Sequence, residues 1–262
     1  MKKQTLFVLA ITLSAGLFSL RAATLLNEDF NGYTIDSTID GNNGGSGWGG
    51  SWATSSPSFG YLHTTRNNVA NLSYSGYSAV GGNYANLAGG YGGPAYMDMT
   101  RQVDLAGAFS SYVSGGSVGA DGTTLWGSFA YAYSAGSTLN LFLSGASTNY
   151  VPLADAGVSS LFVFKIDFGA GNADTLTYFL NPNLATFDGT GAPTGTQAGN
   201  FSFTRFGFAL NGDTHEGRFD TIRMGNLVGD VVPVTIPEPS TYALFGIGMA
   251  SLAWLRRRQI KA

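Results

Sequence analysis

Few side chains in this 262-residue chain combine the type and the spacing that chemistry needs. Retaining cleavage of a glycosidic bond takes two carboxylates about 5 Å apart, one as nucleophile and one as acid. Between residues 23 and 236 the only glutamates are Glu28 and Glu216, remote in sequence, and neither has a suitably spaced acidic partner. Asp213 and Asp220 are the nearest substitute, but their separation around a turn does not by itself make a dyad. His63 and His215 are the only histidines, and with no cysteine in the chain a zinc site has no support. Around His215, the residues Asp213, Glu216 and Asp220 could supply oxygen ligands to calcium. The plainer reading of that stretch is a polar hairpin loop between a strand ending at Leu210 and one starting at Arg218. No serine lies in a Gly-x-Ser-x-Gly elbow, and the run from Gly89 to Gly93 is followed by neither the lysine nor the helix of a phosphate loop. The expectation is therefore a non-catalytic protein without a cofactor. The competing expectation is a polysaccharide-active hydrolase with an unrecognised carboxylate pair.

Aromatic residues offer binding chemistry instead. Trp48 and Trp52 are candidates for glycan contact, because aromatic faces suit the apolar sides of pyranose rings. Tryptophans in a glycine-rich opening segment also serve to plug the end of a β-sandwich, and that alternative stays open. Trp126 lies in a strand-like setting that points to the core.

The elements that must position these groups read as strands. Residues 161–168 alternate, with Phe162, Phe164, Ile166 and Phe168 on one side and Lys165 and Asp167 on the other. Residues 174–180 place Leu176, Tyr178 and Leu180 on one face, and the intervening Gly169-Ala170-Gly171-Asn172 predicts a turn joining the two into an antiparallel hairpin. In residues 125–133, Phe129, Tyr131 and Tyr133 alternate with Ser128, Ala130 and Ala132. Across residues 201–210 the phase shifts between Phe203 and Phe206, which predicts either a bulge near Arg205 or a strand covered on both faces. Between 23 and 236 there is no helical period. Glycine is about twice as frequent as usual and charge well below the usual share, as in a chain of many short strands and turns. These features predict an all-β fold of two antiparallel sheets packed face to face.

Both ends differ from the body. Residues 1–22 read as a signal peptide, with Lys2 and Lys3 before an apolar run and Ala22 as the cleavage position. Residues 241–255 carry no charge and would span ~23 Å as a helix, short of a ~30 Å hydrocarbon core. Arg256, Arg257 and Arg258 close that run and favour the cytoplasmic side of an inner membrane. Removing both ends leaves six basic and fifteen acidic residues between 23 and 236, a net charge of −9 against −3 for the whole chain. Such a body is not expected to bind nucleic acid, which requires clustered Lys and Arg. Without cysteines, an exported domain must rest on its core alone.

Pro237-Glu238-Pro239, the short apolar run and the arginine block together resemble the PEP-CTERM sorting signal of exopolysaccharide-producing bacteria. That resemblance implies recognition of Pro237, Glu238 and Pro239 by an exosortase, retention by Arg256 to Arg258, and delivery to the cell surface or an extracellular matrix. In the body, Leu25 to Phe30, Asn42 to Trp48, Thr124 to Phe129 and Arg218 to Gly225 resemble, in order, the laminin-G/concanavalin-like jelly-roll domains. This second resemblance implies a jelly-roll sandwich whose concave face binds glycans in many relatives, and hence a biofilm or exopolysaccharide role. Laminarinase-type relatives carry a Glu-x-Asp-x-Glu strand, which is absent here. The expected organisation is signal peptide 1–22, sandwich 23–230, linker 231–236 and sorting signal 237–262 with a transmembrane helix at 241–255.

Overall fold

The computed structural model describes residues 24–55, 64–67, 72, 74, 76–77, 83–88, 96–133, 137–145, 148–154, 157–211 and 216–232. All of these fall within one compact unit, Ala22–Val234. The signal peptide with Ala22, the helix at 241–255, Pro237 to Pro239, Arg256 to Arg258, His63, Asp213 and His215 lie outside the described residues. Among the described residues no helix is long and apolar enough to cross a membrane.

The strands are, in chain order, β1 (Thr24–Glu28), β2 (Trp48–Thr54), β3 (Thr64–Asn67), β4 (Asn83–Ala88) and β5 (Tyr96–Val103). A small hairpin of β6 (Val113–Ser114) and β7 (Ser117–Val118) follows, then β8 (Thr124–Tyr133), β9 (Thr138–Ser144) and β10 (Thr148–Pro152). The last five are β11 (Ser160–Asp167), β12 (Asp174–Leu180), β13 (Gly195–Gly199), β14 (Arg205–Asn211) and β15 (Glu216–Gly225), before one helical turn, α1 (Val228–Val231). One sheet runs β13-β12-β11-β8-β15-β4-β3, with β1 also paired to β15; the other runs β10-β9-β14-β5-β2. The pairings within both sheets are antiparallel.

Alternation decides what each sheet buries. In β11, Phe162, Phe164 and Ile166 face the other sheet, and their partners on β12 are Leu180, Tyr178 and Leu176, so the predicted hairpin is present. Phe129 of β8 meets Phe208 of β14 edge-on at 4.9 Å, and Phe208 stacks on Phe219 of β15 at 3.7 Å. These rings belong to different sheets, so the core lies between two face-to-face layers.

The large sheet is also covered on its other side. Trp126, Ala130, Leu161 and Val163 point away from the main core into a second apolar cluster with Tyr77, Phe187, Val231 and Val232. That double burial explains why 161–164 is a continuous apolar run. Val231 and Val232, just past the expected boundary at 230, are fully buried in this cluster. Ser128 Oγ donates to the Val231 carbonyl at 2.6 Å and holds α1 against β8. At the same corner Thr24, which pairs with Gly225, donates from Oγ1 to the Asp230 carbonyl at 3.4 Å, so the two ends of the described body meet.

Two connections differ from the sequence reading. The phase shift before β14 is absorbed by a bend at Thr204, between the isolated bridge residue Phe203 and the strand proper. β14 and β15, the flanks of the expected hairpin, belong to different sheets and do not pair, and residues 212–215 between them lie outside the described residues.

β15 carries its own irregularity. Its register with β8 shifts between Asp220 and Arg223, and Thr221 there has φ 52, unusual for a β-branched residue. Tyr77 donates to the Thr221 carbonyl at 2.5 Å, and the Asp220 carboxyl accepts from Thr221. Asp220 is buried, and that burial above all pushes its carboxyl up to about 7 from 3.8; Asp29 adds to the rise, while the Thr221 bonds and Arg223 oppose it.

The folded state thus binds the Asp220 proton more tightly than the unfolded chain does. Its contribution to stability is complete below about pH 4 and is lost as pH rises through about 7. The Asp220→Asn variant should have a flatter Tm profile than wild type between pH 4 and 7. Parallel profiles would remove Asp220 as the source.

Candidate functional site

Two places gather polar and aromatic side chains, one inside the sandwich and one on its surface. The interior group begins at Glu28, the last residue of β1, whose alternation turns it into the core opposite Arg101 of β5. Both are 1% exposed, and Arg101 Nη1 lies 2.7 Å from Glu28 Oε2. The same oxygen accepts from the Tyr33 hydroxyl at 2.6 Å and from Trp52 Nε1 at 3.3 Å, while Oε1 accepts from the Phe30 N–H at 3.1 Å. Arg101 spends its other donors on the carbonyls of Gly50 and Gly44 and on Asn43 Oδ1, and Trp48 lies over the guanidinium at 4.8 Å. Burial lowers the Arg101 pKa, opposed by Tyr33 and Glu28. Burial, followed by the Glu28 charge, raises the Tyr33 hydroxyl above its ordinary range.

This knot reassigns three residues singled out in the sequence. Glu28 is an internal counter-ion, closed off from any substrate. Trp52 is 1% exposed, with its ring packed on Phe30 and Trp48, so it presents no face to a sugar. Trp48 is half-buried over Arg101. Trp126 is buried in the cluster behind the large sheet, where it stacks on Phe179.

Of the three residues considered for calcium, Asp213 lies outside the described residues, and Glu216 and Asp220 do not converge. Glu216 and Asp220 are four positions apart on one strand, ~13 Å at 3.3 Å per residue. Glu216 is instead held by Arg218 at 2.8 and 2.9 Å, and Asp220 is buried. Calcium needs ligand oxygens at about 2.3–2.6 Å. Asp220 has a proton affinity suited to a general acid, but at 3% exposure it cannot reach a substrate.

The surface group lies on the outer face of the five-stranded sheet. Alternation turns Tyr96, Asp98 and Thr100 of β5 outward, together with Arg205, Gly207 and Ala209 of β14. On the neighbouring strands the same row continues with Asn140 and Phe142 of β9 and Tyr150 of β10. Gly207 and Ala209 leave a low floor along β14, and a Cβ on Gly207 would stand 1.9 Å from the Met99 carbonyl of β5. Over this floor the Tyr96 and Tyr150 hydroxyls meet at 3.1 Å, and Tyr150, 45% exposed, packs on Phe142 at 5.1 Å. Asp98 stands at the side of the floor. Burial raises its carboxyl, while the Tyr96 and Ser55 hydroxyls and Arg205 act in the opposite direction. No other outward position on these five strands is acidic, so the strands supply no carboxylate dyad among the described residues. Its chemistry is that of recognition: the exposed Tyr150 beside the half-buried Tyr96, Asp98 and Arg205, with Phe142, Asn140 and Ala209 buried among them. The aromatic pair was missed in the sequence because Tyr96 and Tyr150 are 54 positions apart and meet only through the sheet register.

A protein-family profile described as the PEP-CTERM protein-sorting motif matches residues 235–258. The motif marks an exported protein sorted at the membrane, with an exosortase as its sorting partner. No curated protein sequence matches the chain. Similar solved structures include the globular domain of T. cruzi calreticulin (10% identity, 90% of this chain and 100% of that one, TM-score 0.42). Others are an endo-β-1,4-glucuronan lyase from the fungus Trichoderma reesei (11%, 78% and 98%, 0.39) and a xylan-binding CBM22-1 domain from Paenibacillus barcinonensis (9%, 79% and 96%, 0.34).

Removing one member of a buried ion pair leaves the other uncompensated, at a cost of about 3–5 kcal/mol. Glu28→Gln and Arg101→Met should each lower the urea-unfolding free energy by that order. The double variant should recover part of the loss, and additive losses would show that the two side chains act independently.

Proposed function

We propose that the chain is an exosortase-sorted surface or matrix protein whose β-sandwich, a jelly roll without catalytic activity, binds glycan in an exopolysaccharide or biofilm setting. The observation that carries this reading is the sorting-motif match over residues 235–258, which includes Pro237, Glu238 and Pro239 and the arginines at 256–258. On this reading residues 1–22 are removed after Ala22, and residues 241–255 hold the protein in the inner membrane until the exosortase acts near the triplet.

The binding role is assigned to the outer face of the five-stranded sheet. Tyr150 supplies aromatic surface for a pyranose ring, and the half-buried Asp98 and Arg205 supply hydrogen bonds to hydroxyls. A non-catalytic role is favoured by the setting of the carboxylates: Glu28 is neutralised inside the core, Glu216 is paired with Arg218, and Asp98 has no acidic neighbour on its face among the described residues.

Sorting is tested by mass spectrometry of the C-terminus. Wild type should lose residues beyond the triplet when the exosortase is active, and replacement of Pro237-Glu238-Pro239 by alanines should leave Ala262 in place. A wild-type protein that still ends at Ala262 would overturn the processing step. For the sandwich, Tyr150→Ala should weaken polysaccharide binding about tenfold, the effect of ~1.4 kcal/mol, with Tm unchanged. Reducing-sugar release that disappears on changing a single Asp or Glu would establish the hydrolase instead.

A further inference from the structure

The connection from β12 to β13, residues 181–194, is long for a link between adjacent antiparallel strands, and loops of that length without strands of their own tend to carry function. This one is pinned at every turn. Asn181, at φ 50, caps the end of β11, donating its N–H to the Leu161 carbonyl at 2.9 Å and accepting the Leu161 N–H on Oδ1 at 2.8 Å. Tyr74 donates to the Pro182 carbonyl at 3.2 Å, and Thr194 both donates its N–H to the Tyr178 carbonyl and accepts the Leu180 N–H on Oγ1, each at 2.9 Å. Gly189, at φ 82, lies so close to Trp126 that a Cβ would come within 2.6 Å of the indole. Phe187 is buried edge-on to Phe179 at 5.0 Å, and Phe179 in turn stacks on Trp126.

Between this loop and the end of β12 is an open pocket of about 230 Å³. Its floor is Phe179 and Phe187, and its rim carries Asn183, Thr186, Asp188 and Thr194. The volume is below the 300–1,000 Å³ of pockets for drug-sized ligands, so it suits one ring and not a run of them. Among the described residues no lysine or arginine lines it, and Asp188, whose Oδ1 accepts both the N–H and the hydroxyl of Thr190, is the one charged group. These two bonds hold the Asp188 carboxyl below its usual range, hydroxyl first, so it is ionised at neutral pH. A carboxylate in a rim of amide and hydroxyls accepts from ligand hydroxyls and repels an anion. An apolar floor under that rim matches a sugar ring, with one hydrophobic face and a hydroxylated edge. Because the loop is already held in shape, little ordering cost opposes binding.

We propose that this pocket is a second glycan site, distinct from the sheet face, which takes a single neutral sugar ring at the free end of a chain and rejects uronates. It rests on the glycan-binding reading of the sandwich and adds to it the class of sugar and the mode of recognition. The full-length protein in detergent is titrated by calorimetry with a neutral methyl hexopyranoside and with the corresponding methyl hexuronate. The neutral glycoside should bind with a Kd of about 1 mM, and the uronate at least tenfold more weakly. Ala192→Trp, at an exposed position on the pocket wall, should abolish the neutral binding with Tm unchanged, and Asp188→Asn should narrow the gap between the two sugars. Neutral binding unaffected by Ala192→Trp, or uronate binding equal to neutral in wild type, overturns the assignment. Polysaccharide binding that is sensitive to Tyr150→Ala, with neither monosaccharide bound, removes the pocket but leaves the sheet-face reading standing. Loss of all glycan binding removes both.

Discussion

A glutamate and an arginine at 1% exposure are tolerable in an apolar sandwich only when every remaining donor and acceptor is also met. That condition organises the opening quarter of the chain. Residues 30–52 wrap around Arg101 and deliver to it two backbone carbonyls, an amide oxygen and an indole face, and they supply Glu28 with a phenol, an indole N–H and a backbone N–H. An irregular, glycine-rich segment is suited to this task because its backbone must approach a planar guanidinium from several directions. The pair also ties β1 of one sheet to β5 of the other. A charge pair thereby does across the layers what a disulfide does in many exported domains, in a chain that has no cysteine.

Elsewhere the two layers are held by interleaved rings. Phe129, Phe208 and Phe219 form a continuous aromatic contact across the gap, and Phe164 stacks on Phe206 beside them. The large sheet is buried on both sides, so its central strands are constrained by packing in front and behind. The smaller sheet turns its second face outward, and there the pattern changes to a low floor with tyrosines and polar groups at its margin.

The sequence and the structure agree where side-chain period alone determines the outcome. Phe162, Phe164 and Ile166 declare a strand and its buried face, and the turn residues after Phe168 declare the hairpin. What period cannot state is partnership over distance. Glu28 and Arg101 are 73 positions apart, and in isolation each reads as an ordinary surface charge. A lone arginine between the buried Met99 and Val103, in the inward phase of its strand, was the one available signal. The alternation over 161–168 puts Lys165 and Asp167 on one side of the strand, and on that same side Leu161 and Val163 are covered by the returning C-terminal turn. Trp52 looked like a binding residue by type, yet its inward phase on β2 places it among Phe30, Trp48 and Glu28. The strands ending at Leu210 and starting at Arg218 read as a hairpin because they are consecutive, but consecutive strands in a sandwich often belong to different layers, as β14 and β15 do.

The meeting of Thr24 with Gly225 and Asp230 means that the domain is nearly a closed ring of polypeptide. Its architecture therefore does not depend on where the ribosome starts reading. A gene rearranged to join these ends and to open the chain at another surface turn would still encode every neighbour each strand has now.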